Sequence, residues 1–208
     1  VIEKYEHEFL VFAKKEMTND PAHDINHVLR VVKTAKALCQ HENANLHVVL
    51  PAAYLHDCFS FPKNHPERAQ SSKISADKAI EFLTLIAYPT IYFDDIHHAI
   101  IAHSYSANVK PRTLEAKIVQ DADRLDSLGA IGITRCLQVS ASLGTALYNN
   151  ADPFCKQRLP DDRNNTVDHF YVKLFNLVDT MNTESAKIEG QQRTKFMHEY
   201  LEQLEAEI

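Results

Sequence analysis

An unbroken apolar run, Val48-Val49-Leu50-Pro51-Ala52-Ala53-Tyr54-Leu55, ends in an imidazole and a carboxylate side by side, His56-Asp57. A helix fit for burial therefore stops by presenting two polar groups. Burying one of them without a partner costs about 2–7 kcal/mol, and more for a charge. A divalent metal would resolve that cost. Further groups of ligand type lie far away along the chain: His27 upstream, Asp121 and Asp123 downstream.

The chain has 208 residues, of which 45% are apolar, enough for a sizeable core. Only 4 glycines and no tryptophan occur. So few glycines leave no Gly-rich phosphate loop, and neither the Walker nor the dinucleotide fingerprint is present. Net charge is −6, which argues against a nucleic-acid surface but leaves room for a small phosphorylated ligand on a local positive site. The four cysteines, Cys39, Cys58, Cys136 and Cys155, are widely spaced and read as free thiols of a cytoplasmic protein. The first residues read as amphipathic and not as a signal peptide. No apolar run approaches the roughly 20 residues that span a bilayer.

Apolar residues recur at helical spacing almost throughout. Ile2, Tyr5, Phe9, Phe12 and Ala13 predict a helix over 2–17, broken by Thr18-Asn19-Asp20-Pro21. Asp24 is a candidate N-cap for a second helix to about residue 42, with Val28, Val31, Val32, Ala35 and Leu38 on its inner face. A third runs from about Leu46 to Asp57, where Pro51 requires a kink or a place near the first turn. Residues 59–66 read as loop, 67–86 as helix in one or two pieces, 91–103 as helix, and Leu114 onward as one or two buried helices to about 143. The stretch 144–165, with Gly144 and two prolines, reads as a flexible surface loop or insertion and a candidate lid. Phe170, Leu174, Leu177, Val178 and Met181 predict another helix, and Thr183 opens a long charged one to the end. No strand pattern of useful length appears. The expectation is one all-α domain over 1–208, a helical bundle.

Two imidazoles and two carboxylates form a mixed N/O set that balances a doubly charged ion. It suits Mn²⁺, Mg²⁺, Fe²⁺, Ni²⁺ or Zn²⁺ and excludes a thiolate-type structural zinc site. Four ligands on an octahedral ion leave about two positions for water and substrate. Each residue taken singly has an ordinary alternative: His27 could bond a carbonyl, Asp57 could cap a helix, Asp123 and Asp126 could be surface charges. Their joint occurrence shifts the balance toward a metal. Asp121 and Asp123 lie about 200° apart around a helix, so both can hardly point into one site. Periodicity leaves open which of them does.

The segments Asp24-Ile25-Asn26-His27-Val28-Leu29-Arg30-Val31, Leu55-His56-Asp57 and Asp121-Ala122-Asp123-Arg124-Leu125 resemble the HD-domain superfamily of metal-dependent phosphohydrolases, named for a His…His-Asp…Asp set on an all-α scaffold. Ile101-Ala102-His103-Ser104-Tyr105-Ser106, Glu115 through Asp126, His169-Phe170-Tyr171 and Met181 through Ala186 resemble its small bacterial YpgQ-like nucleotide pyrophosphohydrolase branch. The resemblance spans roughly residues 20–205. It implies His27, His56, Asp57 and Asp123 as metal ligands, since the family's last ligand stands directly before Arg-Leu. His23-Asp24, a second His-Asp pair in a loop, is assigned to capping and support.

Phosphate oxygens need positive partners. Arg30, three residues beyond His27 and on nearly the same face, is the first candidate; Lys33, Arg68, Lys73 and Arg124 follow. Arg124 could equally pair with Asp121. His98 and His103 could donate a proton to a leaving oxygen, and His103 is preferred on its Ser-Tyr-Ser sequel. No nucleophile elbow exists, and Cys58 has no activating setting, so covalent catalysis is not expected. The resemblance implies hydrolysis of a nucleoside triphosphate to monophosphate and pyrophosphate with one divalent ion, Mn²⁺ first. The alternatives are a nucleotidase or cyclic-nucleotide phosphodiesterase using the same site, a regulatory module that binds nucleotide or metal without turnover, and a plain helical protein. The partner is a small phosphorylated molecule, with no nucleic acid and no membrane; a homo-oligomer is left open.

Overall fold

The computed structural model describes residues 2–17, 24–62 and 65–208, apart from the side chain of Glu3. The breaker at 18–21 and the pair member His23 lie outside the described residues. Among the described residues there is no β-strand, only an isolated bridge between Ala146 and Asn165. Among the described residues nine α-helices carry the fold: α1 Glu3–Glu16, α2 Ile25–His41, α3 Leu46–Leu55, α4 Ser71–Leu85, α5 Phe93–His103, α6 Leu114–Leu125, α7 Gly129–Leu143, α8 Asp168–Val172 and α9 Glu184–Glu207. The all-α expectation holds. No described helix is long and apolar enough to cross a membrane.

The chain divides into two compact units, Val1–Asp123 and Arg124–Ile208. In the first, α3 packs against α1, α2, α4 and α5. Every residue from Val48 to Leu55 is buried, as befits a helix that is apolar all round. Phe9 of α1, Val28, Val31 and Val32 of α2, Leu83 of α4 and Ile100 of α5 complete this core. Asn45 starts α3 by accepting the His47 N–H on its side chain at 3.0 Å.

Pro51 sits inside α3, where it has no N–H to give the carbonyl four residues back, that of His47. The Tyr88 hydroxyl donates to that carbonyl at 2.7 Å. A side chain from the α4–α5 connection thus supplies the bond that proline removes. Tyr88 is 2% exposed, and burial, with its tyrosine neighbours, pushes its phenol well up. Tyr88→Phe is expected to leave the His47 carbonyl unsatisfied and to lower stability by about 1–3 kcal/mol, read from urea denaturation midpoints.

The second unit packs α7 against α9, and α9 against the 3₁₀ segment Leu174–Thr180. Gly132 allows α7 to start close to the preceding turn, since a Cβ there would lie 2.3 Å from the Ser127 carbonyl oxygen. Gly144 ends α7 with a left-handed φ of 70°.

The helix predicted around Phe170–Met181 is only a short α8 followed by 3₁₀ structure. Asn176 explains the break: its side-chain amide donates to the carbonyls of Tyr171 and Val172, taking acceptors an α-helix would use. Leu174 and Leu177 are buried three apart, the period of a 3₁₀ turn.

The 144–165 stretch is non-helical but closed on itself. Ala146 N–H donates to Asn164 at 3.2 Å, and Thr166 N–H returns to Ala146 at 2.8 Å. Asp152 accepts the backbone N–H groups of Lys156, Gln157 and Arg158. Arg158 grips the fully buried Asp168, with Nη2 at 2.7 Å from Oδ1.

Candidate metal centre

His27 lies in the first turn of α2. Asp24 is the N-cap: its Oδ1 accepts the His27 N–H at 2.9 Å, and its Oδ2 accepts from Asn26 Nδ2 at 2.9 Å. The cap fixes where the imidazole enters the core.

α3 ends at Leu55, two residues short of the predicted end at Asp57, and His56 and Asp57 form the turn just beyond it. His56 Nδ1 is 2.8 Å from the Ala53 carbonyl oxygen. A carbonyl only accepts, so Nδ1 carries the hydrogen and Nε2 turns its lone pair inward. Burial pushes His56 down to about 4, so the ring is neutral near pH 7.

His27 Nε2 and His56 Nε2 lie 3.3 Å apart. Asp57 Oδ2 stands 3.7 Å from the first and 3.5 Å from the second. Asp123, in the last turns of α6, places Oδ1 at 3.3 Å and 4.0 Å from the same two nitrogens. An ion with ligands at about 2.1 Å requires ligand atoms about 3.0–4.2 Å apart, cis to trans in an octahedron. All five separations fall in that range. His27, His56 and Asp57, whose ligand atoms all lie within 4.8 Å of one another, therefore fit a divalent ion, and Asp123 stands beside both imidazoles.

Exposure is graded across the cluster. The imidazoles of His27 and His56 are 1% and 0% exposed, while the carboxylates of Asp57 and Asp123 are 13% and 27% exposed. Solvent and any ligand reach the centre from the carboxylate side. Burial alone would raise the Asp123 carboxyl; the His27 hydrogen bond and the charges of His27, His103 and His56 outweigh it and hold the group well below the usual carboxylate range. Asp121, the other candidate, is fully buried on another side of α6.

His103 closes α5 and is 6% exposed. Its Nδ1 donates to the Ile100 carbonyl at 2.5 Å, the same three-residue reach as His56 to Ala53. Its Nε2 faces Asp57 Oδ1 at 3.5 Å. Burial pulls its basicity down, but the bond to Asp57 and the charges of Asp57 and Asp123 raise it overall. His98 is engaged elsewhere, accepting the Arg112 N–H at 3.0 Å, and His97 pairs with Asp77 at 2.8 Å.

The candidate cations are spread out. Arg30 is half-buried on α2, one turn past His27, and its charge reaches Asp24. Lys33 is exposed, and Lys73 pairs with Asp77. Arg68 donates to the Phe61 carbonyl, and Arg124 to that of Thr180. Cys58 is buried, and that burial pushes its thiol up to about 12, the opposite of an activated nucleophile. All four cysteines are free thiols. Sequence reasoning did not find the carbonyls of Ala53 and Ile100 that set the two rings; nothing in a residue's identity reports its backbone oxygen.

The HD domain family matches residues 24–128. The uncharacterized protein YpgQ of Bacillus subtilis is 31% identical over 190 residues, covering 89% of this chain and 84% of that protein. The crystal structure of B. subtilis YpgQ in complex with ADP aligns with a TM-score of 0.73 at 30% identity, covering 99% of this chain and 96% of that one. An HD-superfamily hydrolase from Bacillus thuringiensis aligns with a TM-score of 0.77 at 31% identity, covering 100% of this chain and 98% of that one. The chain belongs to the HD-domain superfamily of metal-dependent phosphohydrolases.

Proposed function

We propose that this protein hydrolyses a nucleoside triphosphate and water to a nucleoside monophosphate and pyrophosphate, using one divalent ion held by His27, His56, Asp57 and Asp123. The observation that carries the reading is the set of five ligand-atom separations between 3.3 and 4.0 Å, with the two carboxylates the more exposed members. Mn²⁺ is the first candidate for the ion. When bound, it supplies Lewis acidity, making water a nucleophile near neutral pH and offsetting charge on the phosphoryl oxygens.

The chain's own groups supply the rest. Asp57 turns Oδ2 toward the imidazoles and Oδ1 toward His103. His103, with Nδ1 committed to Ile100, keeps Nε2 for the reacting side, where its raised basicity suits it to hand a proton to the departing phosphate oxygen. Arg30 is the cation proposed for the phosphate oxygens. A nucleotide as substrate is supported by the ADP in the B. subtilis relative. Four free thiols fit a reducing, cytoplasmic setting.

The test is a panel of ribo- and deoxynucleoside triphosphates with Mn²⁺, scored separately for pyrophosphate and orthophosphate. Pyrophosphate with monophosphate in equal amounts is expected. Orthophosphate from monophosphates would make the protein a nucleotidase, and opening of a cyclic nucleotide with no free phosphate would make it a phosphodiesterase. No turnover of any of them would leave a binding module.

A further inference from the structure

Asp57 sits in the turn beyond the last residue of α3, which the Cys58 N–H closes by donating to the Leu55 carbonyl at 3.2 Å. Past the turn the chain is tied to α4, by Cys58 Sγ donating to the Ser75 carbonyl at 3.5 Å and then at Phe59, two residues beyond Asp57. The Phe59 N–H donates to Ser75 Oγ at 3.1 Å, and the Ser75 hydroxyl donates back to the Phe59 carbonyl at 2.8 Å. One hydroxyl accepts and donates at once, closing both polar groups of one residue. The next pair is treated alike: Phe61 N–H donates to Ser71 Oγ at 3.0 Å, and Arg68 Nη1 donates to the Phe61 carbonyl at 2.5 Å. Arg68, Ser71 and Ser75 are spaced three and four apart, one stripe along α4 and the turn before it. A segment without regular structure must still satisfy its backbone groups, and here a helix face does what a neighbouring strand would do.

We propose that Ser75, seconded by Ser71, is a positioning residue of the metal centre. It fixes the chain leaving Asp57, and so holds Oδ2 toward His27 and His56 and Oδ1 toward His103. Ser75 touches no proposed ligand; it acts through two residues of backbone. The inference rests on the metal reading above. It also explains a serine with 0% exposure in the middle of a helix, where alanine would be the better helix former.

The same helix carries an internal control. Ser72 is 3% exposed, and its hydroxyl has no partner among the described residues. Ser72→Ala and Ser75→Ala are thus the same change at similar burial on one helix, and differ in the clamp. The experiment loads wild type, Ser75→Ala, Ser71→Ala and Ser72→Ala with Co²⁺, recording affinity by calorimetry, the visible absorption band of the bound ion, and kcat and KM with Mn²⁺. Ser75→Ala should weaken Co²⁺ binding about 10–100-fold, shift the band and lower kcat more than it raises KM, with far-ultraviolet circular dichroism unchanged. Ser71→Ala should do the same to a smaller degree, and Ser72→Ala should match wild type in every respect.

A Ser75→Ala protein with wild-type affinity and spectrum overturns the inference while the metal reading stands. A wild type that takes up no Co²⁺ overturns both. If Ser75→Ala does not fold, Ser71→Ala decides: wild-type binding there overturns the clamp.

Discussion

Asp57→Ala is expected to lower Mn²⁺-dependent turnover about a thousand-fold or more, and metal affinity at least about a hundred-fold. Asp57 joins the cluster through both oxygens. Oδ2 lies within 3.7 Å of both inward nitrogens, and Oδ1 is 3.5 Å from His103. With His56 neutral, the negative charge facing a doubly charged ion comes from Asp57 and Asp123. Removing one carboxylate halves it and takes away a ligand in the same step. His103 also loses the partner that raises its basicity. Asp57→Asn keeps the shape and removes only the charge, so it should fall between alanine and wild type in affinity. Calorimetric titration with Mn²⁺ and a pyrophosphate assay read both effects. An alanine variant within ten-fold of wild type in both would place the ion elsewhere.

What could be read from residue order was the part that depends on local rules. Asp24 caps α2, as its type and place before an amphipathic run require. Thr183 precedes α9, and Gly144 follows α7, each where composition put a boundary. His27, His56, Asp57 and Asp123 were picked out by type and motif, and the fold brings them together because α2, α3 and α6 each end or begin at the same place. The failures have a common cause. The Phe170–Met181 pattern fits a period of three or of 3.6 over so short a run, and Asn176 decides between them through carbonyls no pattern shows. Pro51 was a visible difficulty, but its remedy, Tyr88, lies 41 residues away. Ser71 and Ser75 carry no signal in the sequence, because a hydroxyl's partner is a matter of tertiary placement. Contacts of side chain to distant backbone were the level at which sequence reading ran out.

Acid should destabilise the metal-free protein through His56. Its folded pKa is about 4 against an ordinary 6.5. Between those values the unfolded chain binds a proton that the folded protein refuses, so stability falls as pH falls through the window. By pH 5 the loss is about 2 kcal/mol, taking one unit as 1.36 kcal/mol. The neighbouring histidines titrate in the same window. His103 is raised, so its contribution is complete below 6.5 and fades as pH rises above it, opposing His56 in the upper part of the window. Asp123 is depressed, so its contribution is lost only below the ordinary carboxylate range. His98 is lowered mainly by burial and carries the same sign as His56 from a shallower position. The change in stability between pH 7.5 and 5.0, read from urea denaturation in EDTA, should therefore differ between wild type and His56→Gln by about that amount, the other histidines being common to both. Saturating Mn²⁺ raises stability at pH 7.5 by mass action and makes the fall toward pH 5 steeper, because protons then compete with the ion for the same nitrogen. A hydrogen-bonded pair of histidines with no affinity for metal would show the first slope and not the second, which makes the pH dependence of the Mn²⁺ effect, rather than the pH dependence alone, the discriminating measurement.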